Sequence, residues 1–508
     1  MKLSLLCEAL GITCPEGEED REIERIVTDS REACAGCMFV CIRGLHTDGH
    51  AYISDTIRMG AVCILTEKNA PYAKIEGAIY LEAPDTRRAA ALLYHAWYGY
   101  PTRRLKMIGV TGTNGKTSVT HMLRAVLEAA LYKCGLIGTV GCESVGRHLE
   151  NRMRDSLANM TTPDPRELYR MLAEMADDGV EYVLMEVTSH ALALGKLEPI
   201  EFEAAIFTNL TPEHLDFHKT MDCYADAKAE LFRKSKLSVI NADSPYAERM
   251  IRAATGRVVT CGIKSPADYT ANVVTPTGTD GVGYDLCSDH SSLRLRCPIP
   301  GAFTVTNSMQ AAVTAMELGV GARCVQDALG TLSGVKGRME RVGLGAGADF
   351  TVLIDYAHTP DALENLLRTA APLKGREGRV ILLFGCGGDR DRSKRPVMGK
   401  IASDNADLVI VTSDNSRGED PDDIICEIVG GMDLRKPYVV IVDRGEAIEY
   451  AIENARCGDV ILLAGKGHEE YEISRAGRKP FYEKEIARRA FEARRKRRKD
   501  RGSTETEL

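Results

Sequence analysis

The apolar run from Leu105 to Val110 breaks into Thr111-Gly112-Thr113-Asn114-Gly115-Lys116-Thr117-Ser118, and an amphipathic stretch follows without a gap. Strand, glycine loop and helix in that order fold as a phosphate cradle on a parallel sheet. Glycines let backbone N–H groups turn toward an anion, Lys116 adds a point charge for the outer phosphates, and the Thr117 hydroxyl is placed to hold Mg²⁺. Val119, Met122, Leu123, Val126, Leu127, Ala130 and Leu131 recur at i, i+3, i+4, i+7 spacing, so one helix face packs on the sheet while its N-terminus points at the phosphates. The usual loop carries a glycine where this chain has Val110, with Gly112 closer in.

A length of 508 residues suggests about three domains, and 44% hydrophobic residues suit a core-forming protein. The net charge of −8 argues against general nucleic-acid binding, so anionic ligands must be met by local clusters. Met1 to Ile12, interrupted by Glu8, reads as a first amphipathic helix rather than a signal peptide, and no apolar run is long enough to span a bilayer. Sixteen cysteines in such a chain suggest free thiols in a reducing cytosol. Cys34 and Cys37 have redox-motif spacing, but in a turn-like Ala-Gly setting with no second pair for zinc.

The first hundred residues alternate short apolar runs (Met38 to Ile42, Ala61 to Leu65, Ala78 to Leu81) with helical patterns, which predicts a small α/β domain over 1–101, with Pro101 to Arg104 as linker. The runs Tyr182 to Val187, Ala204 to Phe207 and Ser238 to Ile240 suit strands buried on both faces and place a parallel-sheet domain over 102–336. A doubly wound third domain follows over 337–508, with strands expected at Thr351 to Ile354, Val380 to Phe384, Leu408 to Thr412, Tyr438 to Val442 and Val460 to Leu463. Arg488 to Arg501 is dense in Arg and Lys and reads as a solvated, fraying helix end.

Glu186 ends an apolar strand, where an acid is costly unless paired or bound to a cation. Strand carboxyl ends face the ligand crevice of an open α/β sheet. The next strand leads into Thr208-Asn209-Leu210-Thr211-Pro212-Glu213-His214-Leu215-Asp216-Phe217-His218. His214 and His218 could form half of a zinc site, although the acid that follows the first His in metalloproteases is missing; Mg²⁺ held by one His beside Glu186 fits phosphate chemistry better. Tyr224, Lys228, Leu231 and Phe232 share a helical face, so Lys228 lies among apolar side chains and needs a special partner or a modification.

Nearly end to end, these motifs resemble the Mur ligases, ATP-dependent amide ligases that build the peptidoglycan stem peptide on a UDP-linked muramic acid. The resemblance rests on the loop Gly112 to Ser118, Glu186, His214, Lys228, Gly301-x-Phe303-x-Val305-x-Asn307, Gly337-Arg338-Met339-Glu340, and the Asp355-Tyr356-Ala357-His358-Thr359-Pro360 segment. It implies a small N-terminal α/β UDP-binding domain, a central P-loop-like ATPase domain, and a Rossmann-like C-terminal domain with a basic tail. It further implies ATP at Gly112, Thr113, Asn114, Gly115, Lys116, Thr117, Ser118, Arg338, Asp355 and His358. Mg²⁺ would be held by Thr117, Glu186, His214 and a carbamylated Lys228, with Lys116, Glu186, His214 and Lys228 as the catalytic group.

Asp29-Ser30-Arg31, Gly44 and Asp48-Gly49-His50 resemble the uridine-holding domain of the family member that adds a diamino acid to UDP-N-acetylmuramoyl-L-alanyl-D-glutamate. That match places Thr28, Ser30, His46 and Thr47 at the UDP end and Thr161, Thr162, Thr188 and Lys196 at the sugar-peptide. Three positions depart from the family pattern: Met160 where Asn is expected, with Asn159 one place earlier; Leu194 for Gln; and Lys196 for Arg, which keeps the charge but not the forked geometry. Arg390, Asp414, Asn415, Ser416, Arg417, Gly465 and Glu469 match the amino-acid pocket. Diaminopimelate-adding members read Asp-Asn-Pro-Arg at 414–417; here Pro is replaced by Ser416 while Arg417 is kept. Arg390 and Arg417 could take the second carboxylate that lysine lacks, and Asp414 and Glu469 an ammonium. The resemblance thus implies a monomeric cytoplasmic enzyme acting on small molecules, without nucleic acid or membrane insertion. Lysine or another diamino acid as substrate, a folylpolyglutamate- or cyanophycin-type ligase, and a silent nucleotide-binding scaffold are the alternatives.

Overall fold

The computed structural model describes residues 1–44, 47–72, 74–151, 160–276, 278–332 and 334–504. The chain forms two compact units, one of Met1–Tyr269 with Gln310–Val320, the other of Thr270–Met309 with the chain from Gly321 onward.

The first unit opens with a parallel sheet of β1 (Arg25–Val27), β2 (Cys37–Val40), β3 (Cys63–Glu67) and β4 (Ile79–Ala83), in that order. The two middle strands, β2 and β3, are buried on both faces. Met38, Val40, Cys63 and Leu65 pack with Leu3 and Leu6 of the helix Leu3–Leu10, while Cys37, Phe39, Cys41 and Ile64 pack with Val27 and Ile53 on the other side. The two-residue strand period divides the run between two cores, which is why the sequence reads as continuously apolar. The expected linker Pro101–Arg104 is a short 3₁₀ turn with Pro101 buried. Cys34 and Cys37 are free thiols; Cys37 is buried and burial pushes its pKa up, which makes it inert rather than redox-active.

A second sheet follows, with β5 (Lys106–Thr111), β6 (Cys134–Gly138), β7 (Gly141–Ser144), β8 (Arg147–His148), β9 (Tyr182–Glu186), β10 (Phe202–Phe207), β11 (Ser235–Asn241) and β12 (Arg257–Gly262). Their order is β12-β11-β10-β5-β9-β6-β7-β8, parallel from β12 to β6, with β7 and β8 antiparallel. The glycine loop therefore leaves the middle strand between the ends of β9 and β10. Here lies the reason for the missing glycine: Val110 is still in the ladder, paired with Glu186, so the turn starts at Gly112. The following helix, Lys116–Ala129, buries Val119, Met122, Leu123, Val126 and Leu127 as its spacing predicts, but Leu131 lies beyond its end at φ 67° and is 90% exposed.

The second unit carries an antiparallel meander of β13 (Tyr269–Pro276), β14 (Val282–Cys287) and β15 (Ser292–Cys297), against which the helix Ala322–Gly330 packs. Beyond it come β16 (Glu340–Arg341), β17 (Thr351–Asp355), β18 (Val380–Phe384), β19 (Leu408–Val411), β20 (Tyr438–Val440) and β21 (Val460–Ala464), in the order β16-β17-β21-β18-β19-β20, parallel except at β16. A hairpin of β22 (Tyr471–Ser474) and β23 (Gly477–Pro480) precedes the helix Glu483–Thr504. That helix is no free tail at its start. Ala487, Ala490 and Phe491 enter the core, and the buried Arg494 donates to the carbonyls of Ile452 (2.5 Å) and Ala455 (2.6 Å). Among the described residues no helix is long and apolar enough to cross a membrane.

Candidate active site

The glycine loop is sewn to the segment after β10. Thr113 N donates to Asn209 O (2.9 Å), Asn114 N to Asn209 Oδ1 (2.9 Å), and Thr208 Oγ1 to Asn114 O (2.6 Å). The Thr113 hydroxyl in turn donates to Thr211 O at 3.2 Å and accepts from Thr211 N at 3.0 Å. So close is the approach that a Cβ on Gly112, at φ 148°, would stand 1.9 Å from Thr208 Oγ1. Gly115 takes φ 88° to start the helix, Thr117 and Ser118 are buried beneath the loop, and Lys116 Nζ folds back onto the carbonyls of Gly112 (2.9 Å) and Thr113 (2.8 Å).

Glu186 is 1% exposed at the end of β9. Its oxygens accept from Thr139 N (2.9 Å) and Thr139 Oγ1 (2.8 Å), a clasp the sequence did not single out. The neighbouring Gly138 is the signal: a Cβ there would meet Glu186 Oε1 at 2.4 Å. Thr161, Thr162 and Thr188 gather around the same acid. Thr161 Oγ1 lies 3.1 Å from Thr139 Oγ1, Thr162 Oγ1 donates to Glu186 O (2.9 Å), and Thr162 and Thr188 hydroxyls are 3.2 Å apart. Lys196 is buried, paired with Asp164 at 2.5 Å, and 3.4 Å from Met160 Sδ; Leu194 is half-buried nearby, and Asn159 lies outside the described residues.

Lys228, on the helix Met221–Arg233, is 1% exposed. Its Nζ donates to Gly112 O (2.9 Å), lies 3.5 Å from Thr111 Oγ1, and sits 4.7 Å from the Tyr224 ring centre. Burial, with the Lys116 charge adding to it, holds its pKa well below the usual lysine range, so the amine is disposed to be neutral. His214 adopts a left-handed backbone (φ 56°, ψ 29°), its ring 4.8 Å from His190 and 6.2 Å from Tyr224. Its pKa is lowered by burial and by the Lys116 charge, against the pull of Glu213. His218 is turned to another task, with Nε2 2.9 Å from Ser189 Oγ, so the two histidines do not present themselves as a zinc pair.

Of the residues expected at the UDP end, Thr28 and Thr47 are exposed and Ser30 is half-buried in the 3₁₀ turn Ser30–Glu32 that follows β1, capped by Asp29. Thr47 O accepts from Gly44 N (2.7 Å), and Asp48 accepts from His50 N (3.0 Å) and pairs with its Nδ1 (2.6 Å). His46 lies outside the described residues.

In the second unit Asp355 ends β17, accepting from Met339 N (2.8 Å) and Ala357 N (2.9 Å); desolvation pushes its pKa up against the opposing Arg338 charge. The Arg338 guanidinium lies 5.0 Å from the Tyr356 ring, which also meets His358 (4.5 Å) and His468 (4.9 Å). The Asp414-Asn415-Ser416-Arg417 turn, with Ser416 buried, faces Gly465 across the strand ends; a Cβ on Gly465 would reach within 2.6 Å of Asp414 Oδ2. Asn415 Nδ2 donates to Glu469 Oε2 (2.7 Å). Asp414 meets the chain's own Lys466 at 3.6 Å; burial would raise its pKa, but the Lys466 and Arg444 charges hold it below the usual range. Arg417 donates to Gly388 O (2.9 Å) and Arg390 to Asp389 O (3.1 Å). Both side chains stand beside Gly387, where a Cβ would lie 2.8 Å from Arg417 Nη1 and 3.9 Å from Arg390 Cγ, and desolvation with the Arg417 charge lowers the Arg390 pKa.

Three family models match consecutive stretches: Mur ligase family, catalytic domain, over residues 22–98; Mur ligase middle domain over 110–315; and Mur ligase, glutamate ligase domain, over 337–467. The chain belongs to the Mur ligase family. Among curated relatives it is similar to the UDP-N-acetylmuramoyl-L-alanyl-D-glutamate–2,6-diaminopimelate ligases of Syntrophomonas wolfei (42% identical, covering 96% of this chain and 98% of the relative) and Clostridioides difficile (39%, covering 96% and 99%). A solved structure of a ligase with that description superposes at a TM-score of 0.69 with 30% identity, covering 97% of this chain and 100% of the other. A folylpolyglutamate synthase from Mycobacterium tuberculosis, at 19% identity and a TM-score of 0.58, shares the fold.

Proposed function

We propose that this chain is an ATP-dependent, ADP-forming amide ligase that joins meso-2,6-diaminopimelate to the D-glutamate of UDP-N-acetylmuramoyl-L-alanyl-D-glutamate, a step of peptidoglycan precursor synthesis. The relatives that match over nearly its whole length are named as UDP-N-acetylmuramoyl-L-alanyl-D-glutamate–2,6-diaminopimelate ligases, which supports this reading. The observation that carries the choice of diamino acid is that Arg390 and Arg417 stand together beside Gly387, two guanidiniums suited to a second carboxylate.

In this reading the glycine loop and Lys116 hold the ATP phosphates while a D-glutamate carboxylate oxygen attacks the γ-phosphorus. ADP leaves and an acyl phosphate forms. The neutral amine of diaminopimelate attacks the acyl carbon, the tetrahedral intermediate expels phosphate, and the amine's proton passes to solvent. The protein's part is to position groups and stabilise charge, and no side-chain nucleophile is needed. Mg²⁺, when bound, would neutralise charge on the transferring phosphoryl group, and the residues that would hold it are Thr117, Glu186, His214 and Lys228. Glu186 and His214 would contribute one carboxylate and one imidazole, and a further oxygen donor would add to them. A neutral, buried Lys228 can supply it by adding its Nζ to carbon dioxide, with loss of a proton, to give a carbamate.

Thr28, Ser30, His46 and Thr47 would hold the UDP group, and Thr161, Thr162, Thr188 and Lys196 the sugar-peptide. Arg338, Asp355 and His358 would face the nucleotide, and Asp414, Asn415, Ser416, Gly465 and Glu469 would line the amino-acid pocket with Arg390 and Arg417, with Asp414 and Glu469 receiving an ammonium. Segments 1–101, 102–336 and 337–508 would divide the labour as muramoyl, ATP and amino-acid domains of a cytoplasmic monomer. The deciding assay offers ATP, Mg²⁺ and the muramoyl dipeptide with each diamino acid in turn. The expected result is the highest kcat/KM with meso-diaminopimelate; a preference for lysine would overturn the role given to Arg390 and Arg417.

A further inference from the structure

Lys466 is fully buried, yet it lies one residue from Gly465 and three from Glu469, both placed in the amino-acid pocket. Its Nζ donates to Asn415 Oδ1 (3.0 Å) and Tyr471 O (3.0 Å), stands 3.6 Å from Asp414 Oδ1, and has the Phe481 ring at 5.7 Å. An ammonium so enclosed is tolerated only because oxygens surround it.

Asn415 Oδ1 also accepts from Ile473 N (2.9 Å), while its Nδ2 donates to Glu469 Oε2 (2.7 Å). An ammonium and a backbone N–H can only donate, so the amide oxygen must face them and the NH₂ must face Glu469. Turned round, the amide would set NH₂ against two donors and its carbonyl against a carboxylate. Lys466 and Ile473 N thus set the orientation of Asn415 together, with Lys466 supplying the charged donor. Besides Asn415, the Glu469 carboxylate meets the Tyr471 hydroxyl at 3.4 Å. The backbone frame is fixed separately. Arg444, 1% exposed, donates to Ser413 O (3.3 Å) and Ala464 O (2.8 Å), the residues before Asp414 and Gly465, and pairs with Glu483 at 2.7 Å. Removing the Lys466 charge therefore disturbs side chains while the strand ends stay braced.

We infer that Lys466 is a positioning residue for the amino-acid substrate: through the amide of Asn415 it fixes the place and the hydrogen-bond partner of Glu469, the acid that receives the substrate's ammonium. Lys466 itself touches no substrate. The inference rests on the amino-acid pocket assigned under Proposed function.

The test compares wild-type full-length enzyme with Lys466→Met, which keeps the stem length and loses the donors, and Lys466→Gln, which restores one. In Lys466→Met the KM for meso-diaminopimelate rises about tenfold, as expected for one lost hydrogen bond to a charged group, while the KM for ATP stays within about twofold. Lys466→Gln recovers part of the loss. Amide exchange at Ile473 quickens in Lys466→Met, and that of Val460–Ala464 does not change. Unaltered KM for the diamino acid, unaltered exchange at Ile473, or a fall of every constant together with the melting temperature would overturn the inference. Should Lys466→Met fail to fold, Asn415→Leu must show the same split between the two KM values, and an even loss overturns it. A wild-type enzyme that turns over no diamino acid sinks the functional reading and the inference with it; wild-type turnover with an unsplit Lys466→Met sinks the inference alone.

Discussion

At the scale of single residues, Lys228 shows most directly how placement becomes chemistry. Its folded pKa lies below its ordinary value, so between the two the unfolded chain carries a proton that the folded chain lacks, and stability rises with pH through that window. Lys228→Met, in buffer freed of carbon dioxide, should melt above wild type at neutral pH, and the lead should narrow as pH climbs toward 10.5. Lys228→Ala should cost turnover about 10²- to 10³-fold, as for removal of one preorganised charge-stabilising group, with partial rescue by short-chain carboxylates; near-normal turnover would remove the carbamate from the mechanism. A lysine on an apolar helix face announces itself in sequence because the period of the helix is regular. Thr139 and Lys466 do not, since each matters through a partner far away in the chain, Glu186 for the one and Asn415 for the other.

Elements were legible where a strand is buried on both faces. β5, β9, β10 and β18 are continuous apolar runs and read as strands directly. Three-residue β1, four-residue β7 and the exposed two-residue edge strand β8 are too short to leave a pattern, so neither their existence nor the antiparallel turn at β6 could be foreseen. The turn at Gly138 offers a test at this scale. Gly138→Ala would push a methyl into Glu186 Oε1, and a displacement of about an ångström at a catalytic group costs roughly 10²-fold in rate; steady-state turnover beside an unchanged circular dichroism spectrum checks it. The helix end gives another. Leu131 belongs to the apolar helical spacing but sits past the last turn in the left-handed region, exposed. Leu131→Gly should therefore raise stability by about 0.5–1 kcal/mol, the left-handed penalty of a side chain less the added freedom of the unfolded chain, measured by urea denaturation.

For the molecule as a whole, two compact units imply that heat unfolds it in more than one step. Saturating ATP should raise the transition of the first unit, which carries the glycine loop, because the folded loop binds the phosphates and the unfolded chain does not. Acid should act on the same transition. Burial, foremost among the causes, holds His95 and His190 down to about 4, so below 6.5 the unfolded chain gains protons that the folded one refuses, and stability falls with pH until about 4. Calorimetry from pH 7 to pH 4.5 checks this, and His95→Phe should flatten the slope. The second unit holds a feature with a mechanical meaning. Gly337 lies so near the loop after β21 that a Cβ would come within 2.2 Å of His468 N, and one on Gly467 within 2.6 Å of Tyr356 Cβ. Backbone pressed on backbone has no rotamers with which to yield, so the segment bearing Arg338 and the loop bearing Glu469 behave as one stiff body. A strain applied at either is delivered undamped to the other.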